Sequence, residues 1–341
     1  MVQLSVLDLI PVRRGQSNGQ ALASSFALAQ VADRSNCIRY WVAEHHNTAS
    51  VASTNPPVLI AMLASRTDQI RVGSGGVMLP NHAPLVVAEQ FALLEAAYSG
   101  RIDLGIGRAP GSDPVTSWAL RHDGDQEAVN RFPEYVDQVV AMMSEHGATI
   151  RLPRQEYALR ATPSARSVAP IWLLGSSDYS ARLAAEKGLP YVFAHHFSGS
   201  GTEQALALYR EGFRPSEACP EPRTFLTMNV VVAPTQEEAD RLALPNLLQM
   251  LSLRTGGPML PQRLVEDAEA VDLPPEHEAV VQAMRARWVI GDPDAARARI
   301  AELAGRFGVD EVMVHPVAGA LAGTPADASP ARERTLELLT R

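Results

Sequence analysis

The alternation of short apolar runs with segments of helical periodicity restricts the fold of this chain most strongly. Eight runs have the composition of buried strands, and helix-like stretches separate most of them. The predicted strands are residues 3–8, 38–43, 70–78, 101–106, 171–174, 191–194, 224–233 and 309–315. Eight parallel strands with crossover helices close into a barrel. An open doubly wound sheet needs fewer strands, and the G-x-G-x-x-G fingerprint is absent after the first one. We therefore predict an α/β fold, a (β/α)8 TIM barrel with insertions.

The length and composition of the chain fit a single barrel domain. The chain has 341 residues, of which 46% are hydrophobic and 20% are charged, as in a globular protein with a large core. We expect one domain over residues 1–341, with insertions near 149–169 and 254–275, where Arg, Gly or Pro break the alternation. The first insertion is compatible with a small hairpin, and the second has the composition of a mobile lid. Residues 108–130 read as a long loop.

Charge and cysteine content argue against several classes of protein. The formal net charge is −8, and without a basic stripe we expect no nucleic-acid partner. We expect no membrane span, because no apolar run reaches the roughly 18 to 20 residues needed. The N-terminal residues resemble a first strand and not a signal peptide. Cys37 and Cys219 lie far apart in sequence, which favours no disulfide framework or metal-binding pair and fits a reducing cytoplasm.

Three predicted strand ends carry residues that are suited to chemistry. Strand 38–43 ends in Glu44-His45-His46, strand 70–78 contains Gly75-Gly76, and strand 101–106 is followed by Gly107 and Arg108. The carboxyl ends of parallel barrel strands form one face, where ligands bind. We therefore expect these three motifs to converge on one pocket.

Each candidate has a structural alternative. A histidine with an ordinary pKa of about 6.5 can move protons at neutral pH, but His45 and His46 could also simply pack at a strand end. They cannot easily share a metal ion, since adjacent side chains of an extended segment face opposite ways. We predict no metal site. Gly75-Gly76 either forms a bulge or close backbone approach, or lets a flat ring lie against the backbone.

A second group of residues is suited to bind an anion. Arg108 follows a strand end, where its guanidinium can bind phosphate with two hydrogen bonds, although a lone arginine is usually a surface charge. Ser176, Ser177 and Ser180 begin a helix after strand 171–174. Helix N-termini offer free N–H groups to phosphate, while the structural alternative is simple N-capping.

The motifs together resemble the bacterial-luciferase-like flavin monooxygenases. The resemblance is carried by EHH after strand 2, VGSGGVMLP at strand 3, SGRIDLGIGRAPG at strand 4 and Gly175-Ser176-Ser177 before AAEKGLP, and it spans about residues 4–315. The GRAPGSDP form points to single-chain members. Two positions depart from relatives: Gly107 replaces the reactive cysteine of the light-emitting enzymes, which makes light emission doubtful, and Ser176 replaces an acid found in some relatives.

The resemblance implies the cofactor, the chemistry and the partners. It implies binding of reduced FMN, reaction with O₂ through a C4a-hydroperoxide, and oxygenation of a small aldehyde- or ketone-like substrate. It assigns proton transfer to His45 with support from Glu44, and a cis peptide under the flavin ring to Gly75-Gly76. It also implies a homodimer and leaves open a separate NAD(P)H:flavin reductase. By the same resemblance the flavin phosphate would be held by Arg108, Ser176, Ser177 and Ser180. Separately, the position of His195 at the end of strand 6 predicts that it lines the pocket and contacts the ring region.

Two other functions are compatible with the same barrel. One is hydride transfer with the deazaflavin F420, which does not support the same oxygen chemistry. The other is a non-catalytic flavoprotein that binds flavin without substrate-dependent oxygen consumption. Cofactor titration would separate the first from the monooxygenase, and oxygen uptake would separate the second.

Overall fold

A closed barrel of parallel strands forms the centre of the molecule. The computed structural model describes residues 2–109, 111, 113–121 and 126–341. The strands are β1 (Gln3–Asp8), β2 (Arg39–Val42), β3 (Arg71–Ser74), β4 (Val77–Met78), β5 (Ile102–Gly107), β6 (Ala148–Leu152), β7 (Gln155–Leu159), β8 (Ile171–Gly175), β9 (Tyr191–Phe193), β10 (Thr224–Val232), β11 (Val289–Gly291) and β12 (Glu311–Pro316). Within these residues, eight strands pair in the order β1-β2-β3-β5-β8-β9-β10-β12, and β12 returns to β1. The predicted (β/α)8 barrel is confirmed.

Helices surround the barrel and connect its strands. They are α1 (Asn18–Arg34), α2 (Pro56–Ala64), α3 (Pro84–Ala97), α4 (Pro114–Arg121), α5 (Gln126–Asn130), α6 (Phe132–Met143), α7 (Asp178–Lys187), α8 (His195–Ser198), α9 (Thr202–Gly212), α10 (Gln236–Arg254), α11 (Val265–Glu269), α12 (Pro275–Arg285), α13 (Pro293–Phe307) and α14 (Pro330–Thr340). Local signals set several ends: Ser17 and Gln20 form a capping box at α1, and Gly188 and Gly308 take left-handed conformations after α7 and α13.

Some element predictions were wrong in detail. The third predicted strand is two strands, β3 and β4, because Gly75-Gly76 leaves the ladder between them. The edge strand β11, which pairs with the end of β10, was not predicted, because its three residues are too short to show a pattern. Residues 108–130 are not all loop, since α4 and α5 lie there, and Asp113 accepts the N–H of Val115 at the start of α4 (3.0 Å). The rest of that predicted loop includes residues 110, 112 and 122–125, outside the described ones.

The two predicted insertions have different structures. The first contains the antiparallel hairpin β6–β7, in register from Ala148–Leu159 to Leu152–Gln155, as its composition allowed. The second is attached to the barrel rim along much of its length. Gln262 pairs with the loop after β1 through its N–H to Val12 O and its carbonyl to Arg14 N, both 2.8 Å. Gln262 therefore fixes the middle of this insertion to the barrel rim, and its role as a lid stays a prediction.

An ionic network fills the amino-terminal end of the barrel. The Arg39 guanidinium binds Asp103 (2.8 Å) and Glu311 (2.7 Å). Arg71 binds the second Asp103 oxygen (2.6 Å), and the Trp41 indole N–H donates to Asp103 (3.0 Å). The Asp103 side chain has no solvent exposure, so this end of the barrel is a packed floor.

Candidate active site at the barrel mouth

The three sequence motifs meet along one continuous rim at the carboxyl ends of the strands. Gly107, the last residue of β5, pairs with Met78 of β4 on one side and with Leu174 of β8 on the other. The Met78 N–H donates to Glu44 Oε2 (2.8 Å) after β2. The ends of β2, β4, β5 and β8 therefore lie side by side, as the motif positions predicted.

Glu44 is the centre of a buried hydrogen-bond cluster. It is 2% exposed, and its Oε1 accepts hydrogen bonds from His46 Nε2 (2.7 Å) and His82 Nε2 (2.8 Å). Burial acts to raise the pKa of Glu44, but the hydrogen bonds from His82, His46 and Met78 N hold it below its ordinary value. His82 lies 38 residues further along the chain, just after β4, and was not among the predicted site residues. A histidine between a strand end and a proline-led helix was the available signal.

His45 differs from His46 and His82 in making no side-chain hydrogen bond within the described residues. Its backbone N–H donates to Ser53 O (2.9 Å), which fixes the chain. Its Nδ1 is enclosed and has no hydrogen-bond partner among the described residues. Burial lowers the pKa of His45, with Glu44 opposing this shift and His46 adding to it. Glu44 and His45 share no hydrogen bond in the described part of the chain, so Glu44 acts on His45 by charge and orients His46 and His82 instead.

Glycines form one stretch of the rim, which we call the glycine wall (Gly75, Gly76 and Gly105). The Gly75-Gly76 peptide bond is cis, as predicted. A Cβ on Gly76 would lie 2.8 Å from Gly105 O, and one on Gly105 would lie 1.9 Å from Ser74 O. Ser74 joins the two strands, because its hydroxyl donates to Gly105 O (2.8 Å) and accepts from Gly105 N (2.9 Å). Only glycine permits this close approach of the two backbones.

Arg108 and the serines at the start of α7 form a second part of the rim, which we call the α7 cluster (Arg108, Ser176, Ser177 and Ser180). The Arg108 guanidinium carbon lies 4.0 Å from the centroid of the Tyr179 ring, in the first turn of α7. Ser177 occupies the N-cap position, but its side chain makes no capping hydrogen bond. Simple N-capping therefore does not explain this serine. Neither the guanidinium nor the three hydroxyls has a hydrogen-bond partner within the residues described.

The histidines after β9 point in different directions. His195 Nδ1 is 2.8 Å from Thr202 Oγ1, and its ring packs 5.4 Å from that of Phe307, so it faces α9 and α13. Burial and nearby arginines, Arg287 first, lower the pKa of His195 to about 4. His196 instead packs against His315 of β12, with ring centroids 6.1 Å apart. His195 and His196 both line one small cavity after β9, and the assignment of His195 to the ring region stays a prediction.

The described residues show no metal-binding cluster and no membrane span. No three His, Cys, Asp or Glu side chains are grouped to hold a metal ion in the chain as described. No helix within these residues is long and apolar enough to cross a bilayer.

Comparison with known proteins places the chain in a family. The family described as luciferase-like monooxygenase matches residues 2–311. The uncharacterized protein YvbT of Bacillus subtilis (strain 168) is 41% identical over 312 residues, which cover 92% of this chain and 90% of YvbT. A luciferase-like monooxygenase of Escherichia coli (strain K12) is 39% identical over 318 residues, 92% of this chain and 91% of that protein. This protein therefore belongs to the luciferase-like monooxygenases, a family of oxidoreductases, as its motifs indicated.

Solved structures agree with this assignment. The crystal structure of apo-MsnO8 has a TM-score of 0.85 and 34% identity, covering 100% of this chain and 98% of that one. More distant structures show the barrel alone: an oxygenating constituent of 3,6-diketocamphane monooxygenase in complex with FMN (TM-score 0.73, 22% identity) and an F420-dependent secondary alcohol dehydrogenase (0.64, 14%). The barrel by itself is therefore compatible with a flavin or a deazaflavin.

Proposed function

We propose that this protein is a flavin-dependent monooxygenase that binds reduced FMN at the barrel mouth and uses O₂ to oxygenate a small organic substrate. Aldehydes and ketones are the first substrates to test. The observation that carries the proposal is the α7 cluster, a cation and three hydroxyls without partners among the described residues, on the same rim as a glycine wall and His45.

The residues present fit FMN in three respects. The α7 cluster offers charge and hydroxyl donors to a phosphate at a helix start, where N–H groups are free. The Gly75-Gly76 segment has no side chains of its own at the rim, which would let an aromatic ring approach its backbone. His45 presents an enclosed Nδ1 that lacks a partner in the described residues, and an enclosed polar atom of this kind is costly unless a ligand satisfies it.

The side chains then have separate roles in the reaction. FMN, when bound, supplies the oxygen chemistry. The α7 cluster holds the phosphate, and the glycine wall positions the ring. The lowered pKa of His45 keeps its imidazole neutral at neutral pH, so that it can accept a proton at the reacting centre. Glu44 stays ionised and fixes His46 and His82 beside it. The closed barrel floor keeps bulk water out of the site from below.

Replacing Arg108 with alanine is expected to raise the Kd for FMN by about 10–100-fold, because hydrogen bonds to a charged group contribute about 1.5–3 kcal/mol. The Kd for riboflavin, which lacks the phosphate, should change little. Fluorescence titration of both flavins against wild type and Arg108→Ala measures this.

A matched variant controls for the loss of a surface arginine. Arg131 is half-exposed and pairs with Glu134 at 2.8 Å on α6, so Arg131→Ala should bind both flavins as wild type does. Equal weakening of FMN and riboflavin binding in Arg108→Ala would place Arg108 away from the phosphate and remove the main support for the proposal.

F420-dependent hydride transfer is the alternative with a structural precedent, since F420 enzymes share the barrel. Parallel titration with FMN and F420 decides between them: the proposal expects FMN to bind more tightly. Flavin binding without substrate-stimulated oxygen uptake would instead support a non-catalytic flavoprotein.

We further propose a homodimer in the cytoplasm that obtains reduced FMN from a separate NAD(P)H:flavin reductase. Four apolar side chains on the adjacent helices α2 and α3 are 38–58% exposed: Val58, Met62, Val86 and Leu93. An exposed apolar group of this kind often marks a protein interface. These helices follow β2 and β4, beside the first barrel strands.

The double variant Val58→Glu/Leu93→Glu is expected to convert the dimer to a monomer, since buried unpaired charges oppose association. Sedimentation velocity measures the change. Leu152→Glu, at a comparably exposed residue of the β6–β7 hairpin (46%), should leave the dimer intact. A wild type that sediments as a monomer would contradict the homodimer.

A further inference from the structure

Two histidines close to His45, His196 and His315, have no role in the cofactor site described above. His315 lies in β12 and is 6% exposed. His196 follows β9, and the two rings meet at 82°. His315 Nδ1 makes a hydrogen bond with Asn229, and His196 Nδ1 makes one with Thr227; both partners lie in β10. These contacts determine which nitrogen of each ring carries the proton.

Asn229 fixes the protonation of His315. The Asn229 side-chain amide donates from Nδ2 to the His196 carbonyl oxygen (2.8 Å). A carbonyl oxygen can only accept a hydrogen bond. Flipping the Asn229 amide would therefore place its Oδ1 against the His196 oxygen, with no proton between them. Asn229 Oδ1 therefore faces His315 Nδ1 (2.9 Å). Because Oδ1 is also an acceptor, His315 must carry its proton on Nδ1, and its Nε2 is left with a lone pair.

Thr227 fixes His196 in the same tautomer. The Thr227 hydroxyl donates to the Phe193 carbonyl oxygen (3.1 Å). Only this direction lets both hydrogen bonds of the hydroxyl form at once, so we assign the Thr227 oxygen as the acceptor from His196 Nδ1 (2.9 Å). His196 Nε2 is therefore also a bare lone pair. In the described part of the chain, neither Nε2 atom makes a hydrogen bond.

Protonation does not convert these acceptors into donors at neutral pH. Burial, and then the neighbouring His195 and His45, lower the pKa of His196 to about 4. Burial, His196 and Arg332 lower the pKa of His315 well below its ordinary value, with Asp8 opposing. The two rings are neutral and present only lone pairs to a ligand.

We propose that His196 and His315 form a hydrogen-bond-acceptor subsite for an O–H or N–H group of the substrate. This inference rests on the proposed function and narrows its substrate class. The carbonyl oxygen of a simple ketone would face the Nε2 lone pairs of both rings, which is unfavourable. A hydroxyl or an amide N–H could instead donate a hydrogen bond to one of these nitrogens. The substrate would therefore carry an O–H or N–H donor in addition to the group that is oxygenated.

Three probes of one shape test this subsite without turnover. Cyclohexanol, cyclohexyl methyl ether and cyclohexanone are titrated calorimetrically into the protein saturated with oxidised FMN. The subsite predicts that cyclohexanol binds about tenfold more tightly than the ether or the ketone. His315→Phe, which keeps a ring but removes the acceptor, should abolish the preference while the Kd for FMN remains unchanged.

A second measurement, ¹⁵N NMR of the histidine side chains, tests the tautomers in the wild-type protein. In wild type with ¹⁵N-labelled histidine, His315 and His196 should show protonated Nδ1 and bare Nε2, and only cyclohexanol should move the Nε2 signals. Asn229→Leu should release His315 into a mixture of tautomers.

The outcomes separate the subsite from the proposed function. Normal FMN binding with equal affinity for all three probes, or Nε2-protonated rings, overturns the subsite and leaves the function standing. If cyclohexanol is preferred only without FMN, and His315→Phe weakens FMN binding, the acceptors serve the flavin ring, which also overturns it. If FMN does not bind, the proposed FMN-dependent monooxygenase is contradicted. A preference for cyclohexanol measured without FMN would in that case still support the His196–His315 acceptor pair.

Discussion

Replacing His45 with alanine is expected to lower the yield of oxygenated product per flavin oxidised by about 10²-fold, the lower end of what a positioned acid or base contributes. The expected loss is that of the imidazole and not of the local structure, because the His45 backbone N–H donates to Ser53 O whatever the side chain is. Product yields are compared at FMN concentrations that saturate each variant. Product formation and hydrogen peroxide release, measured for any substrate that wild type oxygenates, report the change together.

The pH profile provides a second test of the same residue. Burial lowers the pKa of His45 from its ordinary 6.5. A neutral imidazole is the active form, so product yield should persist below pH 6.5 and fall only as the pH falls through the lower pKa. His45→Ala should lack this step.

His46 is the matched control for His45. It is adjacent in sequence, but its Nε2 is occupied by Glu44 (2.7 Å). His46→Ala should lower the free energy of unfolding by about 1–3 kcal/mol, because it removes one hydrogen-bond donor from the buried Glu44 carboxylate. Its product yield should fall much less than that of His45→Ala. Equal losses in the two variants would show that the cluster as a whole matters and that His45 has no separate chemical role.

Replacing Asp103 with alanine is expected to lower the free energy of unfolding by about 3–5 kcal/mol, because it breaks a buried ionic network and leaves the buried Arg39 with one carboxylate in place of two. Asp103 binds Arg39 and Arg71 and accepts the Trp41 N–H, with no exposure of its own side chain. Urea unfolding followed by tryptophan fluorescence measures the loss.

An exposed aspartate provides the comparison. Asp137 on α6 pairs with Lys187 and its side chain is 64% exposed, and such surface pairs contribute about 0–1 kcal/mol. Asp137→Ala should therefore unfold close to wild type. A loss below about 1 kcal/mol in Asp103→Ala would show that the floor network is not required for the barrel.

The sequence predicted those features that depend on local pattern. Strands β1, β2, β5, β8, β9, β10 and β12 were placed within one or two residues, because buried parallel strands are short apolar runs bounded by turns. The convergence of Glu44-His45-His46, Gly75-Gly76 and Arg108 followed from a topological rule that puts strand carboxyl ends on one face.

Features that depend on side-chain direction could not be predicted. The sequence gives no means to distinguish His195, which packs on α9 and α13, from His196, which turns toward His315. The same holds for His82, which reaches Glu44 across 38 residues. These pairings are set by the packing of strands distant in sequence, which a local pattern does not encode.

The most direct test of the central claim is rapid mixing of the protein, saturated with reduced FMN, against oxygenated buffer, with flavin absorbance followed in time. A site that controls the oxygen reaction predicts flavin oxidation in two resolved phases, and the second should be faster or slower when substrate is present. Free reduced FMN mixed in the same way is the reference. A single phase identical to that of free FMN, unchanged by any substrate, would contradict the proposal that this barrel is an FMN-dependent monooxygenase.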